Sequence, residues 1–231
     1  MTRERWMALL FVAGSACFVI GPFPGYANLV GDATDAVTFF VGSVLFTAGG
    51  ALQTIIAFPE RHSRGGGAAL WAAAIQSAGT LFFNVTTYRA LHTALSNTEY
   101  DRLVWRPDSL GSICFLVSGV IAYRASSRHG LWPVRAGSGW WEASVNLLGC
   151  ILFGIAAVAG YVVPSKGSVL AQAAANWNTS LGAMCFLACA LFTFRTGRTA
   201  KSPRLRRLRR LAQIAERDAE GILGASSRGG G

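Results

Sequence analysis

Residues 71–83 read WAAAIQSAGTLFF, and the same frame returns as WMALLFVAGSACF over 6–18 and WEASVNLLGCILF over 141–153. All three fit W-x7-G-x3-F, through Trp6/Gly14/Phe18, Trp71/Gly79/Phe83 and Trp141/Gly149/Phe153. Each is followed by a second motif, G-[SA]-x-x-F, at Gly42/Ser43/Phe46, Gly111/Ser112/Phe115 and Gly182/Ala183/Phe186. The Trp anchors stand at 6, 71 and 141, so the period is 65 and then 70 residues. Two apolar helices repeated three times predict an all-α integral membrane protein. Its six transmembrane helices would form three parallel helical hairpins with pseudo-threefold symmetry about the membrane normal.

Composition supports the membrane reading. The 231-residue chain is 52% apolar and 14% charged, where soluble domains carry about a quarter charged residues. No charge falls between Asp35 and Glu60, between Arg64 and Arg89, or between Glu142 and Lys166. A spanning helix needs about 20 mainly apolar residues. The expected spans are 5–22, 35–58, 68–90, 107–124, 140–162 and 176–195, giving hairpins over about 5–58, 68–124 and 140–195 in a domain of residues 1–198. The fourth span is short of length, since Asp108 and Arg124 bracket it. It suffices only if Pro107 opens the helix and Arg124 snorkels. Arg3, Arg5 and the G-S-A-C ending at Cys17 also fit a signal peptide, but Trp6, Gly14 and Phe18 match two internal helices, so a retained helix is expected.

Basic residues set the orientation. Of the 21 Lys and Arg, four (Arg89, Arg102, Arg106 and Lys166) fall on one side, and the other seventeen on the side of the termini. Such an excess marks the cytoplasmic face. A multi-pass inner (plasma) membrane protein with both termini cytoplasmic is expected, and an even number of spans agrees. The net charge of +10 therefore follows from topology, and no nucleic-acid partner is expected.

Helical phase assigns the faces. Offsets +1, +5, +8 and +12 from each Trp share one side: Glu142/Asn146/Gly149/Phe153, Ala72/Gln76/Gly79/Phe83 and Met7/Phe11/Gly14/Phe18. In the second helices Gly42/Gly49/Gly50 match Gly111/Ser118/Gly119 and Gly182/Cys189/Ala190. Helices in lipid associate through small residues and interhelical hydrogen bonds. Gly14, Gly42, Gly79, Gly111, Gly149 and Gly182 are accordingly expected at helix contacts. The five cysteines all fall inside spans without a metal or disulfide spacing, and read as small packing residues.

The segments VGSVLFTAGG (41–50), LGSICFLVSG (110–119) and LGAMCFLACA (181–190) resemble the helix motif of YrhK-type domains, small two-helix bacterial membrane domains of unknown function. Q-x-x-G-T-x-x-F-N (76–84) and W-R-P-D (105–108) resemble segments of longer bacterial membrane proteins. The resemblance implies a membrane fold and no activity.

Polar residues within the spans are functional suspects by default. The densest set is Gln76, Asn84, Thr86, Thr87, Tyr88 and Arg89, then Asp101, Trp105, Arg106 and Asp108. It reads either as an outward-facing pocket with Arg106 as an anion contact, or as interhelical glue, the simpler account. In W-R-P-D, Pro and an early acid suit a helix start, and Asp35 plays the same part for the second span; Arg106 is left without a structural account. Glu142 lies on the interior stripe and could accept a proton or cation, although solvation at headgroup level is the expectation. The histidines lie in loops, and no H-E-x-x-H, G-x-S-x-G or P-loop string occurs, so neither enzyme nor cofactor is expected. Residues 199–220 read as a basic amphipathic cytoplasmic helix. Its Arg204, Arg206, Arg207, Arg209 and Arg210 would meet anionic lipid headgroups. Residues 221–231 read as disordered. The expected role is a non-enzymatic scaffold, accessory subunit or sensor; the alternative is a small-solute or ion transporter or channel with a path lined by Gln76 and Asn146.

Overall fold

A computed structural model describes residues 1–63, 65–91, 97–127, 137–163 and 165–196. The expected tail helix at 199–220, its arginines and the 221–231 segment lie outside the described residues.

The chain is a helical, multi-pass membrane protein. Its helices are α1 (Arg3–Ile20), α2 (Tyr26–Val30), α3 (Asp32–Ala57), α4 (Gly66–Ala90), α5 (Asn97–Tyr100), α6 (Arg106–Ser126), α7 (Ser138–Ala159) and α8 (Gln172–Thr196). Five of them, α3, α4, α6 with the turn before it, α7 and α8, are long and apolar enough to cross a bilayer. The shorter α1 opens on Arg3, Glu4 and Arg5 and packs between α3 and α8. Around the bundle, α1 touches α3, α3 touches α4, α4 touches α6, α6 touches α7, α7 touches α8, and α8 returns to α1. The six long helices thus close a ring. We call the end carrying Met1 and Thr196 proximal and the opposite end distal.

Helix ends differ from expectation where local chemistry intervenes. α1 stops at Ile20, and Pro22 two residues on has no N–H with which to continue the ladder. α7 stops at Ala159, before Gly160. A two-stranded hairpin follows, β1 (Val162–Val163) with β2 (Ser168–Val169), pairing Val162 with Val169. Pro107 does not begin an isolated helix. The chain is already helical from Asn97, and residues Asp101–Trp105 form a π turn directly before α6. A proline inside a helix loses an N–H bond and crowds the carbonyl four residues back; a wide π turn makes room for it. The fourth span reaches its length this way, running from Asp101 to Ser126.

Close approach holds each sequential pair. In α1/α3, a Cβ on Gly14 would lie 2.8 Å from Phe46, and one on Gly42 3.1 Å from Phe18. In α4/α6, Gly79 meets Phe115 at 2.7 Å and Gly111 meets Phe83 at 3.1 Å. In α7/α8, Gly149 meets Phe186 at 2.9 Å and Gly182 meets Phe153 at 2.5 Å. Every pair therefore carries a reciprocal clasp, the glycine of each helix covered by the phenylalanine of the other. Contacts pair rising with falling residue numbers, so the pairs are antiparallel. Trp6, Trp71 and Trp141 are all exposed on the outside of the ring.

Between α4 and α6, Ser118 donates to the Ala72 carbonyl (2.7 Å) and lies 3.3 Å from Gln76 Oε1. The matching atoms of α7/α8 make the same bond, from Cys189 Sγ to the Glu142 carbonyl at 3.5 Å. In α1/α3 the corresponding second-helix residue is Gly49, and Phe11, at the Gln76 position, lies against it with 3.1 Å to a Cβ built there. Ring size and the missing side chain compensate. Gly49→Ser alone should therefore lower stability, and Phe11→Gln/Gly49→Ser should recover most of the loss. A double-mutant cycle in detergent should return a favourable coupling of about 1 kcal/mol; additive losses would refute the compensation.

Candidate functional site

Six phenylalanines meet at the centre of the ring: Phe18, Phe46, Phe83, Phe115, Phe153 and Phe186, each no more than 6% exposed. They are the motif phenylalanines of all six long helices. Their rings stack edge-to-face, Phe83 on Phe115 at 5.1 Å, Phe115 on Phe186 at 5.6 Å and Phe18 on Phe46 at 5.9 Å. Such pairs add about 0.5–1.5 kcal/mol each beyond simple contact. The void left among five of these rings and Ser43 is about 10 Å³, at the lower limit for one water. The axis is shut here.

On either side of this plug lies a cavity of about 340 Å³. Phe46 and Phe186 border the proximal one; Phe18, Phe83 and Phe153 border the distal one. The first-helix phenylalanines thus face one chamber, and two of the second-helix ones face the other.

The proximal cavity gathers Gln53, Gln76, Glu142, Asn146 and Thr193. Gln76 and Asn146, on α4 and α7, are brought together as equivalent phases on a ring require, and Phe11 occupies the third position. Glu142 is half-buried and accepts from Thr193 at 2.9 Å. Its carboxylate therefore turns toward the chamber. Asn146 is 3.9 Å from Cys150 Sγ. Gln53 Oε1 is buried without a partner, and nothing in the repeat pattern had singled Gln53 out.

The distal cavity is acidic and aromatic. Asp32 stands exposed at its rim, and Asp35 and Asp108 lie further in. Phe39, Tyr100 and Trp105 supply rings besides those of the plug. Trp105 is fixed by its indole N–H, which donates to the Ala157 carbonyl at 2.8 Å, and by Tyr161, 4.9 Å away ring to ring. Thr87 is buried and shares a 2.9 Å hydrogen bond with Ser43. Burial, with the carboxylates of Asp108 and Asp101 nearby, pushes the Tyr100 phenol above its ordinary pKa. No described lining residue is Lys, Arg or His.

The expected polar set is therefore divided. Thr87 and Asp108 join the distal chamber, and Gln76, Glu142 and Asn146 the proximal one. Asn84 lines neither; its amide donates to Thr47 at 2.9 Å and ties α4 to α3. Arg106 is exposed and lines neither cavity, so it is no anion contact for this chamber. Sequence reading also passed over the ninth residue after each Trp. Ser15, Thr80 and Cys150 are all 0% exposed there, and Cys150 Sγ sits 3.0 Å from a Cβ built on Gly119. The available signal was a small side chain at that offset in all three repeats. Comparison with family models, curated proteins and solved structures returns no match.

Proposed function

We propose that the protein is a non-enzymatic, six-span protein of the bacterial inner membrane, serving as a scaffold, accessory subunit or sensor. In this reading α1 is the sixth span, the three hairpins are related by a pseudo-threefold axis, and both chain ends lie in the cytoplasm with the basic tail against anionic lipid. The YrhK-type likeness of 41–50, 110–119 and 181–190 belongs to the same reading, as one two-helix unit used three times. The observation that carries it is the six-phenylalanine plug. Side chains that make up the repeat motif itself close the axis, so the repeated feature serves packing.

A transporter is the second reading, favoured by one observation: cavities lie on both sides of the plug, and Gln76 and Asn146 share the proximal one. Solute and ion flux in proteoliposomes separates the two. The wild-type protein should show no flux above empty liposomes. Gln76→Leu/Asn146→Leu should alter only thermal stability, by the roughly 0.6 kcal/mol typical of an interhelical polar contact in membranes. Wild-type flux abolished by that pair would overturn the scaffold reading.

A further inference from the structure

We propose that the distal cavity is a binding site for a small organic cation, a quaternary ammonium or protonated amine. The first ground is charge. Asp32, Asp35 and Asp108 come from two different helices, α3 and α6, and converge on one chamber that no described basic side chain lines. Asp32 and Asp35 fall in the first turn of α3, where acids favour the helix dipole, and that alone would make them ordinary helix-start residues. Asp108 is different. It is half-buried, the surface it keeps borders the cavity, and it has no hydrogen-bond or ion-pair partner among the described residues. Asp35 adds a second orphan, since its Oδ1 is buried without a partner. Buried charges are normally paired, because an uncompensated one is costly. An unpartnered carboxylate facing a void, with a second orphan oxygen beside it on Asp35, indicates a missing cationic group.

The second ground is the lining, which selects the kind of cation. A small metal ion wants several oxygen ligands at short range. This chamber instead sets its carboxylates among the rings of Phe39, Tyr100, Trp105 and the plug. Aromatic faces attract weakly hydrated organic cations, and cages of this kind recognise quaternary ammonium groups. Trp105 is pinned at its indole N–H and braced by Tyr161, so its ring needs little ordering on binding. The chamber, at about 340 Å³, falls within the usual range of small-molecule sites. An acidic rim at Asp32 leads to the deeper acid at Asp108.

The experiment is calorimetric titration of the full-length protein in nanodiscs with benzyltrimethylammonium, at constant ionic strength. Neopentylbenzene serves as the uncharged isostere and sodium chloride as the inorganic control. Saturable binding of the ammonium is expected, weakened at least tenfold by Asp108→Asn and several-fold by Phe39→Leu, with no saturable response to the isostere or to sodium. Should Asp108→Asn not fold, Asp35→Asn is expected to weaken binding several-fold instead. Wild-type protein that binds no ammonium would overturn the site and leave Asp108 as a packing residue. Equal binding of the isostere would also overturn it, as would full affinity in whichever acid variant folds. The outcome is independent of the flux measurement, because a chamber closed by the plug can bind without conducting.

Discussion

Phe115→Ala is expected to destabilise the protein by about 3 kcal/mol, the low end for removing a buried phenylalanine. In water such a change loses both transfer free energy and packing. Within a bilayer the surrounding lipid is as apolar as the core, so the transfer part largely vanishes and the cavity term remains. Phe115 is the position where that term is largest. It is 1% exposed and its ring touches those of Phe83, Phe153 and Phe186. Those neighbours belong to three helices of the other two types of contact, within the pair and across the ring, so no single helix can relax to fill the gap. Phe115→Leu should cost roughly half as much, since it keeps most of the volume. The same substitution at Phe23, which is 55% exposed, should leave the melting temperature nearly unchanged. Thermal unfolding in a mild detergent, followed by circular dichroism, reads all three. A Phe115→Ala protein that melts with the wild type would mean that the rings do not meet at the centre.

Much of this arrangement is legible in the residues alone. A charge-free run fixes a span to within a turn: the expected 68–90 corresponds to Gly66–Ala90, and 35–58 to Asp32–Ala57. Helical phase placed Gly79 and Phe83 on one side of α4, because offsets of four residues repeat a direction. It could not say that phenylalanines of six helices would converge, since that depends on how the pairs close into a ring. Pro107 shows another limit. Proline commonly opens a helix, yet residues 97–105 upstream are already helical and a π turn absorbs the ring. Polar residues were the least legible. Asp35 stands seven residues before Gly42 and Asp108 three before Gly111, so the two acids occupy different repeat positions and no periodicity links them. They meet only because α3 and α6 begin at the same end of the bundle. Arg106 and Asp108 are neighbours in sequence but point to different surroundings, the first out and the second into the chamber. Glu142 was correctly phased toward the interior. The cavity and the Thr193 hydroxyl that meet its carboxylate were not legible, because both depend on how α7 and α8 pack.

The glycine seams carry the second large effect, and they can be graded. Among the six seam glycines, Gly182→Ala should be the most damaging single methyl, costing about 3 kcal/mol, the upper part of the range for overpacking. Its Cβ would lie 2.5 Å from Phe153 and 3.0 Å from the Gly149 carbonyl oxygen. A ring at the end of a side chain can swing aside, at the expense of the plug it belongs to. A backbone carbonyl in the facing helix cannot, so α7 and α8 must separate. Gly149→Ala meets the same two kinds of obstacle, Phe186 at 2.9 Å and the Gly182 carbonyl at 3.1 Å, and should follow closely. Gly154→Ala meets only Leu116, at 3.1 Å, and a leucine terminus can shift, so its cost should stay below about 1 kcal/mol. Gly139→Ala has nothing within 4 Å and should be neutral or slightly stabilising, because alanine restricts the unfolded chain more than glycine. Removing the ring as well tests the cause. Phe153→Leu/Gly182→Ala should recover part of the loss caused by Gly182→Ala, since the leucine clears one obstacle and the carbonyl remains. A series in which Gly182→Ala is as benign as Gly139→Ala would show that α7 and α8 do not touch at these glycines, and the reciprocal clasp would have to be abandoned in all three pairs.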